Sequence, residues 1–348
     1  MKQISFDDLK PGYDIAVIGS GASGCAFLKN IDPKFNVLCI DYRKFPRFKA
    51  CSGIIVTEGK EYFNDVNIPK SVFADTTVLN LKYLDLDNNL QSYSKKGFLN
   101  TWRKNLDEWL FTGISNPSID FISECKFIDF YYTSDKSYLV VTCEYKGVVK
   151  TFVCKYLVGC DGANSAVRSK ISNKHIRYYV AIQEFIDQKF NDDAYFIFDS
   201  TITDFYGWVI PKGDKVEIGC ALNPYRAKEK YDVFKEKIKK RFNILNDGKI
   251  ESALILRPKN FSDINLGENN VMLCGEAAAL ITPSAAEGIS NALHSGKYCA
   301  NSLNSSFGKS PIGVYKKNLS GLLARLKTKF KKADLISDKK LRVKLFSD

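Results

Sequence analysis

The sequence predicts an α/β fold in which a doubly wound sheet carries a three-stranded antiparallel meander and is interrupted by a second, sheet-rich region. Three observations support this prediction. An apolar run, a glycine-rich turn and a helix-compatible segment follow one another within the first 41 residues. Three strand-like runs, 125–132, 137–145 and 148–158, are separated only by short polar turns. Several further strand-like runs occupy residues 178–222.

The first 41 residues follow the order of a dinucleotide-binding unit: strand, glycine turn, helix, second strand and terminal acid. Gly19 allows a tight turn, Gly21 lets the backbone approach a pyrophosphate, and Gly24 lets the helix pack closely on the strand. The helix offers free N–H groups and its positive dipole end to the diphosphate, and Asp41 can accept hydrogen bonds from a ribose. The alternative is an ordinary strand–turn–helix, and the unit alone leaves NAD(P) and FAD both open. Its predicted cofactor-binding residues are Gly19, Ser20, Gly21, Ala22, Ser23, Gly24 and Asp41.

Composition narrows the class of protein. With 348 residues and 45% hydrophobic content, the chain can bury a sizeable core, and two domains are expected. The sequence has no run of 18 apolar residues and no apolar leader, so we expect a cytoplasmic protein without a transmembrane helix. The ten cysteines lack zinc-like spacing and the two histidines are too few for a histidine-rich site. No metal site is therefore predicted.

The positive charge is concentrated at the C-terminus. Residues 316–345 hold eleven Lys/Arg and two acids, which is +9 of the net +12 and leaves +3 for the rest. We therefore expect no nucleic-acid partner for the body of the protein. Apolar residues recur in this tail at helical spacing, which predicts an amphipathic helix. Either it docks on the body with a solvated face, or it contacts the anionic inner surface of a membrane.

Three later motifs identify the dinucleotide. They are VGCDGANSAVR at 158–168, YGWVIPKG at 206–213 and VMLCGEAAALITPSAAEG at 271–288. Together with the N-terminal unit they resemble the FAD-dependent geranylgeranyl reductase family, most of all its bacterial CbrA-type branch, over nearly the whole chain. That family belongs to the flavoproteins built like the aromatic hydroxylases. The resemblance implies FAD, bound by residues 1–70, 100–170 and 262–310. It also implies an inserted sheet-rich substrate domain, 71–99 and 171–261, with 311–348 as the tail.

The resemblance also implies which residues contact FAD. Asp161 would lie near the diphosphate and ribityl chain, and Glu276, where most relatives carry Asp, would bind the ribityl hydroxyls. A helix start at Gly288 would face the flavin ring, although many relatives have Gly where this chain has Ala285 or Ala286. Arg103 matches an arginine that contacts FAD. The cofactor residues implied in this way are Arg103, Asp161, Gly275, Glu276, Gly288 and Ile289.

Cys51, in Ala50-Cys51-Ser52-Gly53, matches a motif that lies beside the flavin ring in the reductases. It is predicted as a proton donor or as a residue that shapes the pocket, with a buried inert thiol as the alternative. Tyr206, Trp208 and Pro211 match a substrate-cavity pattern, with an ordinary aromatic core face as the alternative.

The expected reaction is reduction of carbon–carbon double bonds in a polyprenyl, geranylgeranyl-like lipid. The sequence has no second G-x-G-x-x-G, so the electron donor is either transiently bound NAD(P)H or a redox protein. The alternatives are a flavin-dependent monooxygenase and an FAD-holding interaction or sensing protein.

Overall fold

Two β-sheets organise the computed structural model, which describes residues 1–56, 59–60, 62–63 and 67–346. The first sheet has the order β1-β7-β3-β2-β10-β17-β16, with β8 and β9 added beside β10. Its strands are β1 (Lys2–Gln3), β2 (Gly12–Ile18), β3 (Val37–Asp41), β7 (Ile119–Ser123), β8 (Cys125–Tyr132), β9 (Leu139–Tyr145), β10 (Val148–Gly159), β16 (Gly267–Glu268) and β17 (Val271–Leu273).

The second sheet has the order β15-β11-β14-β13-β12-β5-β6-β4. Its strands are β4 (Ile54–Ile55), β5 (Phe73–Asp85), β6 (Leu90–Thr101), β11 (Tyr178–Ile186), β12 (Ala194–Phe198), β13 (Gly207–Lys212), β14 (Lys215–Leu222) and β15 (Lys249–Leu256). Neighbouring strands are antiparallel except for the parallel pair β5 and β12. This confirms the predicted combination of a parallel dinucleotide-type sheet and a second, sheet-rich region.

The α-helices surround these sheets. Their bounds are α1 (Ala22–Asn30), α2 (Arg103–Thr112), α3 (Ala166–Ile171), α4 (Ala227–Phe242), α5 (Ile289–Ser306), α6 (Pro311–Asn318), α7 (Ser320–Ser337) and α8 (Lys339–Arg342). Short 3-10 helices cover Phe6–Asp8, Lys70–Val72, Phe261–Asp263, Gly275–Ala278 and Val343–Leu345. No helix among the described residues is long and apolar enough to cross a membrane.

The central strands of the first sheet are apolar because both of their faces are covered. Ile15, Ala16 and Val17 of β2 are completely buried, which is typical of parallel strands between helix layers. On one face α1 lies against α5, where a Cβ on Gly296 would come within 2.1 Å of the Ser23 carbonyl oxygen. The antiparallel pairing of β8, β9 and β10 confirms the predicted meander, whose short turns favour local pairing.

The second sheet has two different faces. Helix α4 covers one of them with Tyr231, Phe234 and Ile238, its apolar residues at helical spacing. The other face carries Leu81, Phe98, Phe198, Tyr206 and Trp208 and turns towards the first sheet. The space between that face and the first sheet holds the site described below.

The C-terminal tail is docked on the body through its apolar stripe. Tyr315, Leu322 and Leu326 join the core of the first sheet, and Ile336 joins the core of the second. Arg342 is completely buried, and its Nε and Nη2 atoms lie 2.8 and 3.1 Å from the two carboxylate oxygens of Asp85. The tail is therefore an integral part of the fold, and most of its basic residues lie on its solvated face.

Candidate functional site

A cavity of about 1160 Å³ lies between the carboxyl ends of the parallel strands and the open face of the second sheet. It exceeds the roughly 300–1,000 Å³ of most small-molecule pockets, so there is room for a dinucleotide and a second ligand. The predicted site residues on its wall are Gly19, Gly21, Ala22, Ser23, Asp41, Cys51, Arg103, Asp161, Tyr206, Trp208, Glu276, Gly288 and Ile289. Ser20, Gly24, Gly275 and Pro211 are absent from the wall.

The three glycines of the N-terminal turn have different surroundings. Gly19 has a φ of +96°, and a Cβ there would lie 2.6 Å from the Cys160 carbonyl oxygen. A Cβ on Gly24 would lie 2.1 Å from the Gly19 carbonyl oxygen. At Gly21 the nearest atom is Nη2 of Arg47, at 2.8 Å, which is the end of a flexible side chain. Gly19 and Gly24 are therefore required by backbone packing, whereas Gly21 keeps space open at the start of α1.

Two arginines beside this turn share one carboxylate. Arg47 Nη2 lies 2.9 Å from Asp107 Oδ2, and Arg103 Nε lies 2.8 Å from Asp107 Oδ1. Burial alone would raise the pKa of Asp107, but the charges of Arg103 and Arg47 outweigh it and hold the pKa below its usual value. One carboxylate cannot neutralise two guanidinium groups, so a positive charge remains beside the N-terminus of α1. This is the combination that binds a diphosphate.

Sequence reasoning found Arg103 but missed Arg47 and Asp107. Asp107 stands four residues after Arg103 on the same helix, a spacing at which opposite charges pair. That signal was available from the sequence. Arg47 reaches the pair from a loop 60 residues away, so only the tertiary structure reveals it.

Asp41 ends β3 and explains why Ser20 is absent from the cavity wall. Its Oδ2 accepts hydrogen bonds from the Ser20 backbone N and Oγ, both at 2.7 Å, and its Oδ1 accepts one from the Arg43 backbone N at 2.9 Å. A carboxylate can accept about four hydrogen bonds. Asp41 therefore fixes the glycine turn and keeps capacity for a hydroxyl on the cavity side.

Arg168 joins the motif at 158–168 to the motif at 271–288. Its guanidinium donates to the carbonyl oxygens of Ala163 at 2.6 Å and Ala277 at 2.9 Å. Asp161 Oδ2 accepts from the Val167 backbone N at 3.1 Å, while Asp161 Oδ1 is buried without a partner among the described residues. Burial raises the pKa of Asp161. A ligand hydroxyl would satisfy the unpartnered oxygen.

Glu276 uses its additional methylene group to reach the second sheet. Its Oε1 accepts from the Leu256 backbone N at 2.8 Å, and its Oε2 lies 3.4 Å from Lys49 Nζ. Gly275 lies behind it with a φ of +59°, and its backbone N donates to Ser295 Oγ at 2.9 Å. Both carboxylate oxygens of Glu276 therefore have protein partners, while the side chain still lines the cavity.

The loop before α5 contains a strained alanine. Ala286 has a φ of +46°, in the left-handed region that favours glycine. Gly288 precedes α5, and a Cβ there would meet Ile281 only at an ordinary 3.6 Å. The fold itself therefore does not require glycine at position 288. At position 286, glycine would adopt the observed backbone conformation with less strain than alanine does.

Cys51 lies on the cavity wall where the two sheets meet. Its Sγ accepts a hydrogen bond from the Gly53 backbone N at 3.5 Å, and the Arg103 guanidinium lies close enough to interact with it electrostatically. The sequence offered no cation partner for this thiol. The loop is held from behind by the buried Lys212, whose Nζ donates to the Ser52 carbonyl oxygen at 2.6 Å. A proton donor at Cys51 would thus have a fixed position and a cation beside it.

Two aromatic side chains form the wall opposite the cofactor motifs. Tyr206 donates its hydroxyl hydrogen bond to the Ala285 carbonyl oxygen at 2.6 Å, and Trp208 Nε1 donates to Glu217 Oε1 at 2.8 Å. Pro211 is three residues beyond Trp208, and alternation along the strand turns it to the other face. The Pro211 carbonyl oxygen accepts a hydrogen bond from Asn100 Nδ2 at 2.9 Å.

The arrangement fits FAD on three observations of the structure. The space above Gly21 is bounded only by a cationic side chain, Asp161 has a buried oxygen in need of a donor, and a Cβ on Gly162 would meet nothing within 4 Å. The diphosphate would lie at Gly21 and Arg47, and the ribityl chain near Asp161. The ring would then face Cys51 and the aromatic wall.

Comparison with known proteins agrees with this fit. The profile of a family described as FAD binding domain matches residues 130–305. Protein CbrA of Escherichia coli O6:H1 strain CFT073 is 30% identical over 344 residues, which cover 96% of this chain and 87% of the relative.

Two solved structures have the same fold. One is a geranylgeranyl bacteriochlorophyll reductase-like protein from Thermoplasma acidophilum, with a TM-score of 0.80, 16% identity and coverage of 96% of this chain and 90% of that one. The other is PqsL of Pseudomonas aeruginosa, described as a probable FAD-dependent monooxygenase, with a TM-score of 0.72, 13% identity and coverage of 97% and 100%. At these identities the likeness shows the fold alone.

Proposed function

We propose that this chain, which belongs to the FAD-binding domain family together with the CbrA proteins, reduces a carbon–carbon double bond of a polyprenyl lipid. The family assignment makes the protein an FAD-dependent oxidoreductase. One arrangement supports the proposal most. The apolar, aromatic face of the second sheet and the cofactor motifs of the first sheet line one cavity, and the loop of Cys51, between β3 and β4, lies on the same wall. Cys125 and Cys160 also line the cavity, but both are buried, whereas Cys51 is partly exposed. An apolar chain lying along Tyr206 and Trp208 would therefore present a double bond between the cofactor and that thiol.

The residues divide into cofactor binding and substrate binding. Gly21, Arg47 and Asp161 would hold the diphosphate and ribityl chain, and residues 288–289 would start α5 at the flavin ring. We also propose that segments 1–70, 100–170 and 262–310 form the cofactor domain and that 71–99 and 171–261 form the substrate domain. Reduced flavin supplies the hydride in this chemistry.

The second hydrogen of the product must arrive as a proton, and we assign its donation to Sγ of Cys51. The negative charge left on Sγ would lie near the Arg103 guanidinium until a proton returns from solvent. Burial by the aromatic wall keeps water away from the reacting carbon atoms. Tyr206 would fix the loop at Ala285 through its 2.6 Å hydrogen bond, which positions the start of α5.

Anaerobic single-turnover experiments test this function. Protein reduced with dithionite and mixed with a geranylgeranyl substrate should return to the oxidised flavin spectrum and give a product heavier by two hydrogen atoms. Cys51→Ser should slow that return, and Lys150→Gln, a change at a residue that does not line the cavity, should leave it unchanged. The proposal would be contradicted if reoxidation required oxygen and the product carried an added oxygen atom.

A monooxygenase is the second candidate, since the fold extends over 97% of this chain in the PqsL comparison. Such an enzyme would form a long-lived oxygen adduct that is visible by absorbance when reduced protein meets oxygen. Anaerobic stopped-flow absorbance measurements also distinguish between the two proposed electron donors, NAD(P)H and a redox protein. Flavin bleaching by NAD(P)H alone supports direct reduction, and its failure supports a redox protein.

We further propose that the exposed face of the tail brings the enzyme to anionic membranes. Lys316, Lys317, Lys327 and Lys331 point to solvent, and each basic residue near such a surface contributes about 1 kcal/mol. The apolar stripe is packed in the core, so the attraction would be electrostatic and weakened by salt. Replacing these four lysines with glutamine should abolish binding to anionic vesicles. Equal vesicle binding by the quadruple variant would refute this role.

A further inference from the structure

We propose that Lys96, Lys329 and Lys332 form a binding site for an acidic group, phosphate or carboxylate, at the end of an apolar ligand in the cavity. This inference rests on the proposed function, which assigns a polyprenyl chain as the reacting part of the ligand. It adds that the other end of the ligand carries an acidic group. The three lysines come from β6 and α7, which are more than 200 residues apart in sequence, and all three line the cavity.

Lys96 reaches the cavity through strand alternation. Ser92, Ser94, Lys96 and Phe98 occupy every second position of β6, and all four line the cavity. The strand therefore changes from polar to apolar along one face, with the lysine between the two parts. Lys96 and Lys332 are exposed and Lys329 is half-buried, which places the group where the cavity opens to solvent.

The three lysines of this cluster have no acidic partner in the part of the chain that the structure describes. Among the described residues, no carboxylate oxygen lies within 4.0 Å of the three ammonium groups, whereas Lys49 elsewhere on the wall pairs with Glu276. Although Lys332 reaches solvent, partial desolvation lowers its pKa, and the charges of Lys329 and Lys96 lower it further. An anion bound among them would remove this repulsion.

The helix that presents two of the lysines is held firmly. Ser337, at the end of α7, accepts a hydrogen bond of 2.6 Å from the buried Arg257, and Arg342 just beyond pairs with Asp85. Ile336 and Phe346 from the same segment line the cavity beside Phe98. The lysines therefore adjoin an apolar wall in a fixed arrangement. A ligand that satisfies both parts has an acidic head and an apolar body.

The test compares two probes that differ only in the head. Binding of geranylgeranyl phosphate and of geranylgeraniol to the full-length, FAD-loaded protein is measured by calorimetry, with the flavin oxidised so that no turnover occurs. Lys96→Gln/Lys329→Gln/Lys332→Gln should weaken the phosphate probe at least tenfold and change the alcohol less than twofold. Arg325→Gln, on the exposed side of the same helix, should change neither.

Three results would overturn the proposal. The triple variant could bind the phosphate probe as the wild type does, or it could weaken both probes equally, which indicates general damage to the cavity. Inorganic phosphate could also show the full lysine dependence without competing with geranylgeranyl phosphate, which indicates a separate anion site. Equal melting temperatures and FAD contents establish that the variants are folded. Lysine-dependent binding without reduction of either probe would contradict the proposed reaction and leave this site standing.

Discussion

Substitution of Gly21 should lower the affinity for FAD far more than it lowers the stability of the fold. In Gly21→Val the new Cβ would lie 2.8 Å from Arg47 Nη2, and no backbone atom outside the adjacent residues comes within 4 Å. The fold would lose at most the Arg47–Asp107 contact, and a hydrogen bond to a charged group is worth about 1.5–3 kcal/mol. Residue 21 has φ −71° and ψ −169°, an extended conformation that valine adopts readily.

The loss of FAD affinity should be much larger. The valine side chain would occupy the place of the diphosphate and remove two or more charge-assisted hydrogen bonds, about 3–6 kcal/mol in total. Since about 1.4 kcal/mol is a factor of ten, the dissociation constant should rise by about 10²- to 10⁴-fold. Flavin fluorescence titration of the apoprotein measures this constant. Thermal unfolding of the same preparation measures the effect on the fold.

Gly24→Ala is the matched control, because its Cβ would lie 2.1 Å from the Gly19 carbonyl oxygen and force the backbone to move. It should lower the melting temperature of the apoprotein, whereas Gly21→Val should change it little. Wild-type protein should purify yellow and release FAD on acid precipitation, since binding is expected to be tight and non-covalent. A folded Gly21→Val protein with stoichiometric FAD would refute the diphosphate assignment.

Three other changes have defined outcomes. Cys51→Ser should lower turnover on a verified substrate more than FAD content, and unchanged turnover would reduce Cys51 to a packing role. Ala286→Gly should raise the free energy of unfolding by up to about 1 kcal/mol, because relief of a left-handed alanine exceeds the entropy cost of glycine; denaturant titration would detect a loss instead. Asp107 has its folded pKa below its unfolded value of about 3.9, so its stabilisation is complete above that value and is lost as the pH falls through the folded pKa. The destabilisation by Asp107→Asn should therefore be full at pH 7 and shrink below about pH 4, and a pH-independent difference would contradict this reasoning.

Patterns local in sequence were sufficient for the framework. The β2–α1–β3 unit and the β8–β10 meander follow from apolar runs, turn residues and short connections, so their pairing could be predicted. Alternation along β13 was also visible and would have removed Pro211 from the pocket. The cation beside Cys51 could not be predicted, because Arg103 reaches it from the start of another element.

The other contacts that shape the cavity also join residues that are far apart in the sequence. Arg47 and Asp107 are 60 residues apart, and Lys212 holds Ser52 across 160 residues. These contacts depend on how the two sheets face each other, and no periodicity in the sequence encodes that orientation. From the sequence, the apolar stripe of the tail could either pack on the body or contact a membrane. Only the tertiary structure shows that it packs in the core.

Arg103 links two parts of the cavity electrostatically, since it forms an ion pair with Asp107 and also lies close enough to Cys51 to interact with it. An anion that neutralises Arg47 leaves Asp107 with a single cation and strengthens its hold on Arg103. The electrical environment of the thiol therefore depends on whether the diphosphate position is filled. Thermodynamic reciprocity then requires that a change of charge beside Arg103 also alter the affinity for an anion at the diphosphate position. On the proposed function, binding of the cofactor and proton donation by Cys51 would therefore be coupled.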